Sequence, residues 1–405
     1  MQQVPDSLKD VTNHSVRECP ESVKRTRRCS FLLLYQWLGS ADAGGVSLRR
    51  AVALNRSEEP ETCRGGALMD LSRLGQPWEG RWTMLLLMLV SGLPELSASE
   101  KEGGPAVFFE SPDQNPFLRT LAWAPVSVGL SPAAGQWHWQ FAMQITNHSR
   151  RVQTAQESLS LDGESDVLSW SASYGLTANW SLRVLLPWVR YRGGGLDGFI
   201  EQWHKIWGLS NSDRQGPRNR LAMRYENPRG EVLAVTQSVA GIGDLRVGFQ
   251  RDLSAWVSAG RAALMVGAEL PSGEADRLLG NGEVDGFAAV GWEGRAYGYR
   301  TGIRLGVTTV DFRQVLFPAR HWASYGSVAV LGRPWRRWVP RLQWDFHTPV
   351  ADSGLVELGA AASWLTVGVS YLLSEHLRVE GAMVEDLFSD PVPDFGLRFA
   401  VEVSR

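Results

Sequence analysis

Residues 136–146 read Gln-Trp-His-Trp-Gln-Phe-Ala-Met-Gln-Ile-Thr, so that apolar and mostly polar side chains alternate along the stretch. Successive side chains of a β-strand point to opposite faces, and the alternation therefore predicts a strand with one apolar face. That face carries Trp137, Trp139, Phe141, Met143 and Ile145.

The same alternation recurs along the chain and predicts about twelve strands. Their ranges are 136–146, 164–174, 179–189, 243–251, 258–270, 284–293, 298–308, 322–332, 337–347, 355–372, 375–385 and 393–403. Strands of about 9–11 residues suit a tilted crossing of a bilayer, and an even number returns both ends of a barrel to one side. Short connections such as 175–179, 252–255 and 374–375 are typical of periplasmic turns. The longer connections 147–163, 190–242, 271–283 and 309–321 are then external.

Two architectures share this alternation. A soluble sandwich or lipocalin-like barrel turns its apolar faces inward, whereas a transmembrane barrel turns them toward lipid. Two features favour the membrane barrel: Lys101 and Lys205 are the only lysines after residue 100, and tryptophan recurs near the ends of predicted strands, as in aromatic girdles. Those tryptophans are Trp137, Trp180, Trp188, Trp292, Trp322, Trp338 and Trp364.

Composition excludes several other classes of protein. The 405 residues contain 41 Lys plus Arg against 43 Asp plus Glu, a net charge of −2 that gives no basic surplus for binding nucleic acid. The one long apolar run, near residues 84–93, is too short for a helix that spans a bilayer. The fold class is therefore all-β: a transmembrane antiparallel β-barrel of about twelve strands, with one amphipathic helix in a long external loop.

The chain before the strands divides into three parts. Residues 84–99 have the basic flank, short apolar run, helix-breaking Gly and Pro, and small residues of a secretory signal peptide, although a buried core helix would also fit their length. Such a signal must begin the translated product, so we expect Met69 or Met84 to be the true start and residues 1–83 to be an over-extended or disordered leader. Residues 100–135 are expected to form a periplasmic segment, and 136–405 the barrel. All three cysteines lie in the first 63 residues, and the expected location is the bacterial outer membrane.

The longest loop contains one helical pattern, in which apolar residues between Leu196 and Leu209 recur at spacings of three and four. We expect this helix to fold over the barrel mouth as a lid, with its acidic side against inward arginines. The candidate lid residues are Asp197, Glu201, Trp203, His204 and Trp207. Asp197, Glu201 and His204 share one side, a spacing that can also hold a metal, but no second ligand pair follows; neither a metal nor a cofactor is expected.

The inward polar faces supply the remaining candidate site. A narrow barrel with many charges can be filled by ion pairs or can line a selective path, and both alternatives stay open. The candidate lumen-lining residues are Arg183, Arg246, Glu269, Arg304, Arg341, Asp345, Arg378, Glu380, Arg398 and Glu402. No Gly-x-Ser-x-Gly motif is present, and His138, His321, His347 and His376 are scattered, so no catalytic residues are predicted.

An ordered set of short motifs resembles domain-of-unknown-function family 3187, bacterial proteins expected to be outer-membrane barrels. The motifs are Asn115-Pro116-Phe117, Leu161-Asp162-Gly163-Glu164, Tyr174-Gly175-Leu176, Gly193-Gly194-Gly195-Leu196-Asp197, Trp203-His204-Lys205-Ile206-Trp207-Gly208-Leu209, Gly241-Ile242-Gly243-Asp244-Leu245, Glu385-Asp386 and Pro393-Asp394-Phe395. The resemblance covers about 115–403 and implies an architecture without a chemistry. The chain departs from the usual barrel signal, a terminal aromatic residue, because it ends in Val403-Ser404-Arg405.

Three functions remain compatible with these observations. The first is passage or binding of a small solute by a monomeric barrel; the second is a structural or assembly barrel that does not conduct; the third is a lipid hydrolase of the outer membrane, although an enzyme is not expected. The expected partners are outer-membrane lipid and lipopolysaccharide, the barrel-insertion machinery and a small solute.

Overall fold

The computed structural model describes residues 106–128, 131–207, 218–311, 320–385 and 395–404. In these residues, fifteen strands form one antiparallel sheet. The strands are β1 (Trp137–Gln153), β2 (Ser158–Gly175), β3 (Trp180–Arg192), β4 (Met223–Glu226), β5 (Val232–Val235), β6 (Val239–Ile242), β7 (Leu245–Asp252), β8 (Arg261–Leu270), β9 (Asp285–Ala296), β10 (Tyr299–Thr309), β11 (Trp322–Leu331), β12 (Trp338–His347), β13 (Ala362–Leu372), β14 (Leu377–Glu385) and β15 (Phe395–Ser404). The α-helices are α1 (Asp197–Trp207) and α2 (Val356–Gly359).

Twelve of these described strands, β1–β3 and β7–β15, close into a barrel. Each pairs with its neighbours in the chain, apart from β3, which pairs with β7 across the long insertion, and β1, which pairs with β15 to complete the circle. The short strands lie beyond this wall: β4 and β5 form a hairpin that extends β2, and β6 pairs with the end of β3. The predicted twelve-stranded antiparallel barrel is confirmed.

The register of the closing pair places polar residues together inside. Gln140 of β1 lies opposite Glu402 of β15 and Ser171 of β2, and all three side chains are buried. The next residue, Phe141, faces outward and is exposed. A slip of one residue would exchange these two faces, so the alternation in the sequence specifies the register.

The two ends of the barrel differ in their connections. At one end, called here the short-turn end, β9 and β10 are joined by Tyr297 and Gly298, with φ angles of 53° and 83°. Two successive positive φ values are typical of the two-residue type I′ hairpin, which suits glycine at the second position. β1 begins and β15 ends at this same end, as an even number of strands requires.

Two predicted boundaries are wrong. Residues 147–163 were expected to form an external loop, but β1 and β2 continue through them as a paired extension, and only 154–157 connect the strands. The ladder persists because both strands keep pairing beyond the barrel wall, for example Arg150 with Leu161. The predicted strand 355–372 begins instead with α2, and its strand starts at Ala362.

The expected periplasmic segment, residues 100–135, stays a prediction, and the structure describes most of it. Residues 106–128, called here the internal segment, are buried or half-buried throughout and contact inward-facing side chains of the wall. An isolated strand-free segment exposes its backbone groups, and the polar inner wall provides partners for them.

A layer of connections closes the other end of the barrel. Hydrophobic residues of the β4–β5 hairpin, of α2 and of residues 275–281 pack together; these elements are called here the cap. Phe117 of the internal segment lies in the same core, its ring 6.2 Å from that of Tyr225 in an edge-on arrangement. No helix in the described ranges is both long and apolar enough to cross a membrane.

Candidate functional site

The internal segment first runs along β12 in step with the strand. Every second residue of the segment contacts every second residue of β12. Gln343 accepts a hydrogen bond from the Phe109 N–H at 2.7 Å, and Asp345 accepts one from Ser111 Oγ at 3.0 Å. His347 Nε2 then lies 2.8 Å from the Asp113 carboxylate. These steps lead from the short-turn end toward the cap, so the segment enters the barrel from the short-turn end.

The segment then turns under the cap and returns along β7. Arg246 donates to the carbonyl of Leu121 at 2.8 Å, and the Ser127 N–H donates to Gln250 at 3.2 Å. Between them, the Ala124 N–H donates to the hydroxyl of Tyr325 at 2.8 Å. The segment therefore traverses the barrel twice and leaves at the end where β1 begins.

Small inward residues in the wall make room for this hairpin. A Cβ added at Gly291 would collide with Val128, and one at Gly302 would lie 2.6 Å from the ring of Phe108. Ala263, Ala289 and Ala329 also face inward and are buried. Side chains fill the interior of an eight-stranded barrel. In this wider barrel with small inward residues, the internal segment fills it.

All ten predicted lumen-lining residues face inward, and the structure brings them together as ion pairs. Nine pair among themselves, as Arg246–Glu269, Arg304–Asp345, Arg378–Glu402 and the trio Arg341–Glu380–Arg398. The tenth, Arg183, pairs with Glu110 of the internal segment. The wall charges thus pair with one another and also bind the segment, whereas the selective path stays a prediction.

Arg341 connects the wall most closely to the segment. Its Nη1 donates to the carbonyl of Ala106 at 3.0 Å, and its guanidinium lies 3.9 Å from the centre of the Phe109 ring. Its Nη2 donates to Ser370 Oγ at 2.6 Å and pairs with Glu380. The buried Arg341 side chain therefore donates hydrogen bonds to a wall serine and to the segment backbone, and it also pairs with a wall carboxylate.

Sequence reasoning missed the partners that the segment contributes, chiefly Glu110, Asp113 and Arg119. Segment 106–128 has no period of two, so the pattern that located the strands gave no signal there. The inward glycines Gly291 and Gly302 were a usable signal, since a glycine inside a strand often marks close approach of another backbone.

A cavity of about 90 Å³ remains between the internal segment and the wall. Its lining is mixed: Trp123 and Pro187 are apolar, whereas Arg119, Gln144 and Arg398 are polar and buried. At roughly 30 Å³ per water molecule, the cavity holds about three waters. In the described residues, protein thus occupies the interior around this small polar space.

Two ionisable groups in the connections beyond the wall have shifted pKa values. Burial raises the pKa of Asp244, although backbone N–H groups of Gly273 and Asn281 donate to its carboxylate and oppose the shift. Burial and the hydrogen bond to Glu157 raise the pKa of Tyr225. Both groups serve as fixed hydrogen-bonding partners that hold the cap together.

The predicted loop helix is present as α1, and only part of its apolar face is buried. Ile200 is fully buried, whereas Phe199 is 51% and Ile206 69% exposed. Asp197 accepts hydrogen bonds from Asn147 and from the backbone of Asn219.

The acidic side of α1 was expected to meet inward arginines of the barrel. Glu201 instead pairs with Arg218, an exposed arginine of the same long connection. The side chains of Trp203, His204 and Trp207 lie outside the described residues.

Two serine–histidine pairs occur, but neither forms a catalytic trio in the described residues. His138 Nδ1 lies 3.1 Å from Ser404 Oγ, and His148 Nε2 lies 2.9 Å from Ser165 Oγ. No hydrogen bond joins either imidazole to a carboxylate in this part of the chain, although a general base needs an orienting third group. The described ranges also contain no cluster of three potential metal ligands.

The outer surface of the wall is apolar. Exposed Phe141, Met143, Phe399 and Val401 line a hollow of about 850 Å³ that extends across β1, β15 and the neighbouring strands. Trp137, Trp180, Trp322 and Trp338 are exposed at the first positions of their strands, and Trp188 is exposed within β3.

Trp364 departs from the predicted girdle. It faces inward and donates to the carbonyl of Ser111. In the β12–β13 pairing it lies opposite Asp345, so it is on the inward, polar face of β13.

Comparison with solved structures finds similar barrels at low identity. The COG4313 outer membrane channel from Pseudomonas putida F1 is 12% identical, with a TM-score of 0.48 over 69% of this chain and 100% of that one. The toluene transporter TbuX of Ralstonia pickettii is 10% identical, with a TM-score of 0.35 over 74% and 99%. The CymD monoaromatic hydrocarbon channel is 12% identical, with a TM-score of 0.34 over 68% and 90%.

Among curated proteins, no match is found. A family model described as Protein of unknown function (DUF3187) matches residues 83–403, and this chain therefore belongs to the DUF3187 family.

Proposed function

We propose that this protein is an outer-membrane channel for a small solute, and that the internal segment is its gate. The observation that carries the proposal is a polar barrel interior filled by residues 106–128, a piece of chain outside the wall's own sheet. Displacing this segment would leave a passage lined by arginine and carboxylate side chains.

The contacts of the segment support a gate more than a permanent filler. They run largely between its backbone and wall side chains such as Gln343, Tyr325 and Gln250, and no β-ladder joins segment to wall in the described residues. Such bonds contribute about 0.5–1.5 kcal/mol each and can be exchanged individually for water. A backbone ladder would have to break cooperatively.

The outer surface supports the membrane location. The apolar belt with tryptophans at strand ends is the surface that lipid requires, and lipid and lipopolysaccharide are its expected surroundings. Insertion by the barrel-assembly machinery, and a monomeric state, belong to the same proposal, because the closed wall leaves no free edge for a second chain.

A reversible lock tests the gate directly. Ser111 Oγ and Thr366 Oγ1 are 3.2 Å apart, and the native cysteines all lie in the first 63 residues. The double variant Ser111→Cys/Thr366→Cys should therefore form a disulfide between segment and wall. In planar bilayers we expect the oxidised protein to be silent and reductant to restore its conductance. The variant Ser111→Cys alone is the matched control and should not respond to reductant.

Deletion of residues 106–128 tests the same gate by removing it instead of locking it. A folded deletion variant should conduct continuously and should pass small solutes in liposome-swelling measurements. A barrel that folds without the segment and still fails to conduct would overturn the channel and favour the structural, non-conducting alternative.

We propose α1 as a second, outer barrier over the mouth. The burial of Ile200 and the contact of Phe199 with Phe395, whose ring centroids are 6.0 Å apart, support a position against the barrel rim. Deletion of 197–207 should raise permeability further in a chain that already lacks 106–128. Unchanged permeability in that background would remove α1 from the pathway.

A further inference from the structure

The small cavity inside the barrel has an unbalanced lining. Four guanidinium groups border it, those of Arg119, Arg246, Arg304 and Arg398, against the three carboxylates of Glu110, Asp113 and Asp345. Most of these charges have an opposite partner, since Glu110 pairs with Arg183, Asp345 with Arg304, Arg246 with Glu269, and Arg398 with Glu380. The Asp113 carboxylate contacts the His347 imidazole at 2.8 Å.

Arg119 is the exception in this lining. It is 6% exposed and donates to the Tyr191 hydroxyl at 2.6 Å and to the carbonyl of Leu278 at 3.1 Å. Both partners are neutral, no carboxylate lies within ion-pair distance of Arg119 in the described ranges, and Asp244 interacts with it only at longer range. A buried cation without a counter-ion is costly, so its charge calls for an anion nearby.

Three residues of the same lining each carry a buried side-chain nitrogen without a hydrogen-bond acceptor in the described protein. These nitrogens are Arg119 Nε, Gln144 Nε2 and Arg398 Nη2, although Arg398 Nη2 still lies 3.2 Å from Glu380 in an ion pair. All three residues are more than nine-tenths buried. Unsatisfied groups that share one cavity and are all donors favour a ligand that only accepts hydrogen bonds.

We propose that this cavity binds a small oxyanion, such as a short carboxylate or inorganic phosphate, held by Arg119, Gln144 and Arg398. The volume of about 90 Å³ suits a ligand of this size and excludes a sugar. The inference rests on the proposed channel function, which it deepens by naming the class of solute: the site lies where the internal segment meets the wall.

Binding is measured on the full chain in detergent, by calorimetric titration with inorganic phosphate and with acetate in a gluconate buffer of constant ionic strength. The variant Arg119→Gln should weaken the affinity about tenfold or more, because a hydrogen bond to a charged group is lost. Arg229→Gln, a change of an exposed arginine in the β4–β5 turn, is the control and should bind as the unaltered chain does.

The variant Gln144→Glu keeps the proposal testable should Arg119→Gln fail to fold. It places a carboxylate among the three donors, so the protein supplies its own anion. We expect an unfolding temperature at least equal to that of the unaltered chain and loss of phosphate and acetate binding. Gln156→Glu, in the exposed β1–β2 turn, is the matched control and should retain binding.

Absence of binding in the unaltered chain, or a destabilised Gln144→Glu variant, would overturn the anion site in favour of a water-filled cavity. Phosphate binding without acetate binding, or the reverse, would support the site and identify which oxyanion it takes. These readings need no conduction, so a failed gate and a failed site are distinguishable. The chain locked by Ser111→Cys/Thr366→Cys should bind the anion while it stays silent.

Discussion

In the barrel wall, each strand is hydrogen-bonded through its backbone to two neighbours, whereas the internal segment at the centre is held by side chains that reach it from β7, β11 and β12. Trp139 of β1, for example, lies opposite Val403 of β15 in a continuous ladder. Phe109, Ala124 and Ser127 of the segment depend instead on Gln343, Tyr325 and Gln250.

This difference separates what the wall needs from what the segment needs. Loss of the segment leaves every wall ladder intact, while loss of the wall leaves the segment without partners for its backbone. The wall is therefore stabilised cooperatively by its own ladders, whereas the internal segment depends on the wall. The effect of a substitution should differ according to whether it changes the wall or the segment.

The largest effect is expected where both regions meet, at Arg341. Arg341→Met removes one of the two arginine partners of Glu380, the other being Arg398, together with the donor to Ala106; breaking a buried pair costs up to about 3–5 kcal/mol. Urea titration of the protein in lipid vesicles measures the free energy of unfolding. In a chain lacking 106–128 the cost should be smaller, because the contacts to the segment are already gone; an equal cost would mean that Arg341 serves the wall alone.

A charge on the outer face should affect the wall without involving the segment. Val184 faces outward on β3, midway between the exposed Trp180 and Trp188, and Val184→Arg should cost about 2–4 kcal/mol near the bilayer midplane. The cost should be the same with and without residues 106–128. Leu176→Arg, in the short turn after β2, is the control and should cost at most about 1 kcal/mol. Normal folding of Val184→Arg would mean that the two faces of the strand are inverted.

The cost of a substitution at Gly291 should, in contrast, depend on the presence of the internal segment. Gly291→Ala introduces a Cβ that collides with Val128, and overpacking of this kind costs about 1–3 kcal/mol. The same substitution should become neutral once 106–128 is deleted, since the strand itself accepts alanine. A cost that persists in the deletion variant would show that the clash is with the wall.

The smallest effect concerns a single bond of the segment. Tyr325→Phe removes the acceptor of the Ala124 N–H, and a buried donor left unpaired costs about 1–3 kcal/mol, here near the lower limit because the cavity is close. It should also raise the opening frequency in bilayer recordings. Arg229→Ala, in an exposed ion pair, should change the unfolding free energy by less than about 0.5 kcal/mol.

The sequence predicted the wall well because the wall obeys one rule. Alternation of side chains located twelve strands, the closing position and the ten inward charges, since parity alone decides which face a residue such as Arg304 takes. The extension of β1 through Asn147 and His148 was missed because two adjacent polar residues interrupt the alternation there.

The interior could not be predicted from the same rule. Glu110 and Arg119 belong to a segment without periodicity, and their partners are more than fifty residues away in the chain. Which charge meets which, as in Arg183 with Glu110, depends on the path of that segment in three dimensions. The lid residues illustrate the same limit: Glu201 meets Arg218, a neighbour in its own loop that no spacing rule indicates.

The position of the internal segment constrains the order in which the protein can assemble. The hydrogen bonds that join the segment to β12 link residues 234 positions apart, and the segment precedes β1, which closes the circle with β15. Contacts so distant in sequence form late and slow the folding of a chain. The circle must therefore close around the segment, or the segment must thread into a finished ring from the short-turn end. A ring that closes with residues 106–128 outside would be a distinct state, with a complete wall and a misplaced internal segment.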